Sequence, residues 1–253
     1  MDNVYSGYFS LTTEMSRRDN YAQEIVNQGF PILAMTYCDG TVLVTKSTSI
    51  IEKISPITSG IAFAAVGNYH HIRKIRSYVK NLTKKIGIAK DNNRSVQSFL
   101  DGEESIIDFI GGTYETLWSM PFQVDTVLVE SDTGQNNKFY RIDFRGWPSS
   151  RKNFIVCGGS ENETSPEGKV YKKGIKFKIE EYIESRNPDF CSMSLDGAVK
   201  FSIDALGDVY GIRDGFLNDS EDEVLHVGIL EGRRDLRRLN EDEMKRFYDY
   251  LKS

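Results

Sequence analysis

The strongest restriction on the fold lies between residues 30 and 67, where four strand-like runs are set off by turn residues. "FPILAMTYC" is followed by Asp39-Gly40 and then by "TVLVTKS", two β-type runs joined by the dipeptide that best suits a two-residue hairpin turn. Pro31 at the head of the first run is tolerable, because a first strand residue need not donate to the ladder. "IIEKISPI" and "GIAFAAVG" form a second pair, the latter apolar enough to be buried on both faces. An antiparallel sheet therefore opens the chain, fed by one helix. Leu11, Met15, Ala22, Ile25 and Val26 recur at helical spacing, Ser10 or Thr12 can cap the start, and Gly29 follows Gln28 as a stop. This predicts a helix over 10–28, while residues 1–9 carry no period and read as a mobile tail.

After Gly67, Asn68 is placed to cap a helix with Ile72, Ile75, Val79 and Leu82 on one face and Arg73, Lys74, Arg76 and Lys80 on the other. Asp101 followed by Glu104 resembles a capping box for a helix carrying Ile107, Ile110, Tyr114 and Leu117. Strand-like runs return in "QVDTVLVES", "KFYRIDFRG" and "KNFIVCGGS", with Phe139, Arg141 and Asp143 alternating against Tyr140, Ile142 and Phe144. Helical segments are expected from about Glu167 to Arg186 and from Ser194 to Leu206, before "EVLHVGILEG" and a final charged helix, "NEDEMKRFYDYLKS". No repeat or composition break divides residues 1–253, which predicts one domain. Two antiparallel strand groups, each followed by helices, imply an α+β fold: a four-layer α/β/β/α sandwich.

Composition narrows function mainly by exclusion. A net charge of −5 without a long basic tract argues against nucleic acid as a main partner. No apolar run approaches the roughly 18 residues that span a bilayer, and "MDNVYSGYFSLTTEM" has no secretory pattern, so a cytoplasmic protein without membrane attachment is expected. The three cysteines, Cys38, Cys157 and Cys191, are far apart and odd in number. Cys38 and Cys157 fall in apolar runs and read as reduced core residues. His70 and His71 are adjacent rather than at i, i+4, so no metal pair is implied. "CGGS" at 157–160 lacks the lysine of a phosphate loop and suits a sharp turn. The acidic stretch at 218–223 lacks the glycine and terminal glutamate of a calcium loop and reads as solvated. No metal or cofactor is expected.

The order of these elements, with several strings, resembles the proteasome family and the α subunits of bacterial proteasomes in particular. The strings are "GYFSLTTEMSRRDNYAQEIVNQG", "TYCDGTVLV", "EKISPITSGIAFAAVGNYHHIRKIRSYV", "FIVCGGS" and "EVLHVGILEGRRDLRRLNEDE", in that order over nearly the whole chain. The resemblance implies an N-terminal-nucleophile hydrolase fold. Catalytic subunits of that family expose a threonine at the first residue of the first strand, its own amine serving as base. Phe30 holds that position here, and Lys46 falls about where a tuning aspartate belongs. No catalytic residue is therefore assigned. Internal Gly-Thr pairs, Gly40-Thr41 and Gly112-Thr113, offer no processing site that would spare the fold.

What the resemblance implies is a structural and gating subunit. It would sit with other α subunits in a homo-heptameric ring, cap a ring of catalytic β subunits, and dock an ATPase or other activator through the activator's C-terminal tail. Tyr5, Gly7, Tyr8 and Phe9 then belong to a gate near the pore. Lys53 pairs with the terminal carboxylate of the tail, and Gly29 and Asn68 line the same pocket, although helix termination and capping alone also explain those two, so they carry less functional weight than Lys53. Arg17 and Arg18 are candidates either for pairing between subunits or for a solvated face. A processed hydrolase and a homo-oligomeric scaffold without protease activity remain as alternatives.

Overall fold

The structure, a computed structural model, describes residues 3–48, 51–89, 95–102, 104–116, 118–132, 136–160, 163–164, 170–210 and 223–252. A long helix, α1 (Asn3–Gln28), leads into β1 (Ile32–Tyr37), β2 (Gly40–Thr48), β3 (Ile54–Thr58) and β4 (Ile61–Gly67). Three helices follow, α2 (Tyr69–Ala89), α3 (Gln97–Leu100) and α4 (Ile106–Glu115), and then β5 (Val124–Glu130), β6 (Lys138–Ile142), β7 (Pro148–Arg151) and β8 (Phe154–Cys157). A short ribbon of β9 (Glu163–Thr164) and β10 (Val170–Lys172) precedes α5 (Ile175–Arg186) and α6 (Leu195–Tyr210). The last elements are β11 (Glu223–Leu230), β12 (Arg237–Arg238) and α7 (Glu241–Lys252).

Two antiparallel sheets, ordered β12-β11-β2-β1-β8 and β3-β4-β5-β6-β7, stack face to face. Alternation along each strand divides the core into three layers. Leu33, Met35, Val42, Val44, Val227 and Ile229 point from the first sheet toward α5, α6 and α7. Phe63, Ala65, Val124 and Leu128 point from the second toward α2, α3 and α4. Ile32, Ala34, Leu43, Ala62, Ala64, Val66, Val127 and Phe139 fill the space between the sheets. This is the α/β/β/α sandwich that the strand grouping implied. Each fully buried aliphatic side chain contributes about 1.5–3 kcal/mol, so the core positions of α2 (Ile72, Ile75, Val79, Leu82) seat that helix.

One ionic group also lies between the sheets. Asp125 of β5 is buried, and Arg141 Nε of β6 donates to both its oxygens at 2.8 Å. The Gly158 N–H, at the end of β8 in the other sheet, donates to Asp125 Oδ2 at 2.7 Å. Burial pushes this carboxyl up, while Arg141 and the Gly158 N–H pull it down.

Several boundaries differ from the sequence expectation. The first helix begins at Asn3, so Tyr5, Gly7, Tyr8 and Phe9, expected in an unpatterned tail, lie within α1. A periodic segment that nucleates a helix extends it at one hydrogen bond per added residue, and no proline stops it before Asn3. The hairpin turn is Cys38-Asp39 rather than Asp39-Gly40, because Gly40 already pairs with Tyr37. A Cβ at Gly40 would overlap the Leu230 carbonyl oxygen, so the glycine serves close strand approach. Cys38 is accordingly a half-buried turn residue, its thiol donating to Asp39 Oδ2 at 3.2 Å, whereas Cys157 is buried as expected.

The cap of α4 is Ser105, whose Oγ accepts the Asp108 N–H at 2.9 Å, not Asp101. Glu104 instead pairs with Lys85, and Leu117 lies outside the described residues. The helix expected from Glu167 starts at Ile175, after Gly174, with β10 ahead of it; Glu167 itself is outside the described residues. Among the described residues 51–57 the strand begins only at Ile54, and β6 ends at Ile142, so Asp143 begins a turn and accepts the N–H groups of Arg145 and Trp147. Most of the acidic stretch 218–223 is outside the described residues.

Arg18 fastens α1 to the body. Its Nη2 donates to the carbonyls of Thr113, Tyr114 and Thr116 at 3.1, 3.0 and 3.1 Å. These are carbonyls at the C-terminal end of α4, which lack intrahelical donors and carry the negative end of the helix dipole. Asp19 accepts from Tyr114 Oη at 2.6 Å and pairs with Arg145 at 3.2 Å. Arg18 is thus committed within its own chain, while Arg17 stays exposed. Truncating Arg18 to Ala removes the charged donor from all three carbonyls, leaving Ser119 on those of Thr113 and Thr116, and is expected to cost about 1–3 kcal/mol in urea unfolding, against about 0.5 kcal/mol or less for Arg17→Ala.

Candidate functional site

Four segments converge at one end of the sandwich: the stop of α1 at Gly29, the head of β1 at Phe30 and Pro31, the lead-in to β3 at Glu52 and Lys53, and the β4–α2 junction at Gly67 and Asn68. The structure brings Lys53, Gly29 and Asn68 into this one neighbourhood through a chain of contacts. Lys53 Nζ donates to the Phe30 carbonyl at 3.0 Å and to the Lys46 carbonyl at 2.9 Å. Gly29, next to Phe30, lies so close to β4 that an added Cβ would overlap Val66 Cγ1 and come within 3.5 Å of the Gly67 nitrogen. Asn68 follows Gly67.

Lys53 is half-buried, and its ammonium points inward onto two carbonyl dipoles. That arrangement offsets part of the cost of holding a charge beside Ile54 and the apolar strand ends. The backbone holds Lys53 in place, since the Ala65 N–H donates to its carbonyl at 3.1 Å. Lys46 meets Lys53 through its carbonyl; its own side chain is buried on the face of β2 that carries Val42 and Val44.

Asn68 is occupied structurally. Its Oδ1 accepts the N–H groups of His70 at 3.0 Å and His71 at 3.4 Å, the expected cap, and its Nδ2 donates to Gln123 Oε1 at 3.1 Å. The Gln123 N–H in turn donates to His71 Nδ1 at 3.1 Å. Burial, then the charges of Lys74 and His70, lower the tendency of His71 to take a proton. The two histidines therefore serve the junction, and among the described residues no group of three or more His, Cys, Asp or Glu side chains is arranged to hold a metal.

The sequence reading missed the acidic partner of this region. Glu52 bridges two elements, its Oε2 on Arg76 of α2 and its Oε1 on Arg238 of β12, whose Nη2 also donates to the Ile54 carbonyl at 2.7 Å. Glu52 was visible beside Lys53 in "IIEKISPI", but no spacing in the sequence links it to Arg238, 186 residues away.

Comparisons with known proteins fit this frame. No family model matches the chain. It is 24% identical over 234 residues to the proteasome subunit alpha of Acidothermus cellulolyticus, covering 91% of this chain and 92% of that protein. The proteasome subunit alpha of a Nocardioides species is 25% identical over 226 residues, covering 88% of this chain and 78% of the relative. That of Frankia alni is 26% identical over 161 residues, 63% of this chain and 66% of the relative, just under two thirds of its length. The chain is thus similar over most of its length to bacterial proteasome α subunits. No helix among the described residues is long and apolar enough to cross a membrane.

Two outcomes follow from the geometry. Gly29→Ala forces a methyl into Val66, and an overpacking cost of about 1–3 kcal/mol is expected in chemical denaturation. His71 has a folded pKa below its unfolded value, so its contribution is complete above about pH 6.5 and is lost as pH falls through that value, where the unfolded chain takes the proton first. The urea midpoint of the wild type should therefore fall more steeply below pH 6.5 than that of His71→Gln.

Proposed function

We propose that this chain is a non-catalytic α-ring subunit of a proteasome core particle, with an N-terminal-nucleophile hydrolase fold that carries no nucleophile. The observation that carries the reading is the similarity to proteasome α subunits across 91% of the chain, together with Phe30 at the head of β1. Phenylalanine has neither hydroxyl nor thiol, and its carbonyl is engaged by Lys53. In this reading the subunit assembles with its own copies into a ring, caps the catalytic β subunits in the cytoplasm, and governs substrate entry. The first turns of α1, with Tyr5, Gly7, Tyr8 and Phe9, act as the gate. Lys53 receives the terminal carboxylate of an activator tail, and Gly29 and Asn68 shape the rim beside it.

Co-expression with a β subunit from the same genome tests the assembly. Native mass spectrometry should give a mixed particle built from rings; a persistent monomer beside an assembled β partner overturns the reading. An intact mass beginning at an internal Thr, Ser or Cys would instead favour a processed hydrolase. Lys53→Ala is expected to leave the rings intact and lower activator-dependent degradation of a folded protein by about ten-fold, the equivalent of ~1.4 kcal/mol, with short-peptide cleavage little changed.

A further inference from the structure

The chain has two tryptophans, Trp118 and Trp147, and both face water, 97% and 66% exposed. Tryptophan has more apolar area to gain from burial than most side chains, so two left outside mark a surface that something covers. They stand around one spot. Trp118 follows the C-terminal end of α4, two residues after Thr116, whose carbonyl accepts from Arg18 of α1. Trp147 lies in the turn between β6 and β7, its ring 5.2 Å from the guanidinium of Arg145, which pairs with Asp19 of α1. Tyr21, 47% exposed, comes about one turn further along α1, and Met120, 62% exposed, two residues after Trp118. The junction of α1 with α4 therefore carries a protruding apolar patch, with exposed Arg17 at its rim.

Among the described residues one other large apolar side chain is exposed, Phe177 of α5. Beside it, Lys178, Glu181, Tyr182 and Ser185 of α5 face Asp208 and Val209 of α6 across a groove of about 360 Å³, room for one indole. Glu181, which Lys173 also meets at 2.7 Å, and Asp208 give the groove an acidic lip that complements Arg17; Lys178 is the cation among its lining residues. The patch belongs to the helix layer of α4, over the second sheet, and the groove to the layer of α5 and α6, over the first. A knob on one layer and a hole on the other fit two copies head to tail, not face to face.

We infer that a second copy of this chain covers the patch: Trp118 of one copy enters the groove between α5 and α6 of the next, and Trp147, Met120 and Tyr21 spread over the part of α5 that carries Phe177. The four patch side chains would remove about 500 Å² of apolar surface, most of the roughly 800 Å² that one side of a stable interface buries. Aromatic residues, methionine and arginine are also what the core of such interfaces favours. That repeats of this contact close into a ring rests on the function proposed above; the contact itself rests on the two surfaces.

The test uses the full-length chain and two variants, Trp118→Asp in the patch and Phe177→Asp beside the groove. Both positions are exposed, so the urea midpoints should match the wild type; if Phe177→Asp does not fold, Asp208→Arg takes its place. In native mass spectrometry the wild type is expected to form oligomers and each variant alone to stay monomeric. An equimolar mixture of the two should stop at dimers, because only one intact patch meets one intact groove. Dimers of Phe177→Asp by itself, a monomeric wild type, or oligomers that survive both substitutions overturn the contact. Trp147→Phe leaves Trp118 as the one tryptophan, and its quenching by acrylamide is expected to fall about three-fold or more on assembly, as for a residue in an interface core. Oligomers with a protected Trp118 that take up no co-expressed β subunit keep the contact and sink the proteasome reading. A mixed particle in which Trp118 is as quenchable as in the monomer, or is protected only once the β subunit joins, keeps that reading and sinks the contact.

Discussion

Val66 occupies space that two glycines leave for it, and the spacing of the layers depends on that fit. Gly29, from the end of α1, meets it from one side, and a Cβ at Gly158, from the end of β8, would lie 2.8 Å from its Cγ1. Gly158 also has φ +78, a conformation few side chains accept, and its N–H reaches the buried Asp125. One valine thus registers the helix, the second sheet and the edge of the first. The inward-pointing Lys53 follows from the same geometry, because Phe30 comes immediately after Gly29 and its carbonyl is fixed where the ammonium finds it.

The parts of the fold that were legible in the sequence are those written in periodicity. The hairpin of β1 and β2, the buried run of β4 and the apolar stripe of α2 were each readable from spacing two or spacing 3.6, because burial imposes those periods. The start of α1 was not, since helix propagation needs no pattern and residues 3–9 contain no proline, the one helix-weakening residue there being Gly7. β7 and β12 were invisible for another reason: they are short, exposed edge strands whose residues, "PSSR" and "RR", carry no strand preference, and only pairing defines them.

The candidate site divides in the same way. Asn68 was readable as a cap because capping is local, and its place at the β4–α2 junction is where the spacing put it. Arg18, read as either pairing between subunits or facing solvent, turned out to hold the end of α4, a contact across some 95 residues that leaves no trace in either segment. Glu52 and Arg238 share this property. Charge pairs between distant strands come from topology, and topology was inferred here only as far as the layers.

The flanks of the sandwich have a consequence for how such molecules can meet. On one side β3 and β12 seal each other, with Arg238 on the Ile54 carbonyl and the Gly60 N–H on the Arg234 carbonyl at 2.8 Å. On the other, β7 opens with Pro148 and is exposed along its length, a poor template for backbone pairing. At these three edges a neighbour cannot simply continue the sheet. Contact between molecules at these flanks falls to helix surfaces and the ends of the sandwich, so their mutual angle is set by side-chain shape rather than by a hydrogen-bonded ladder, which would propagate as a fibre.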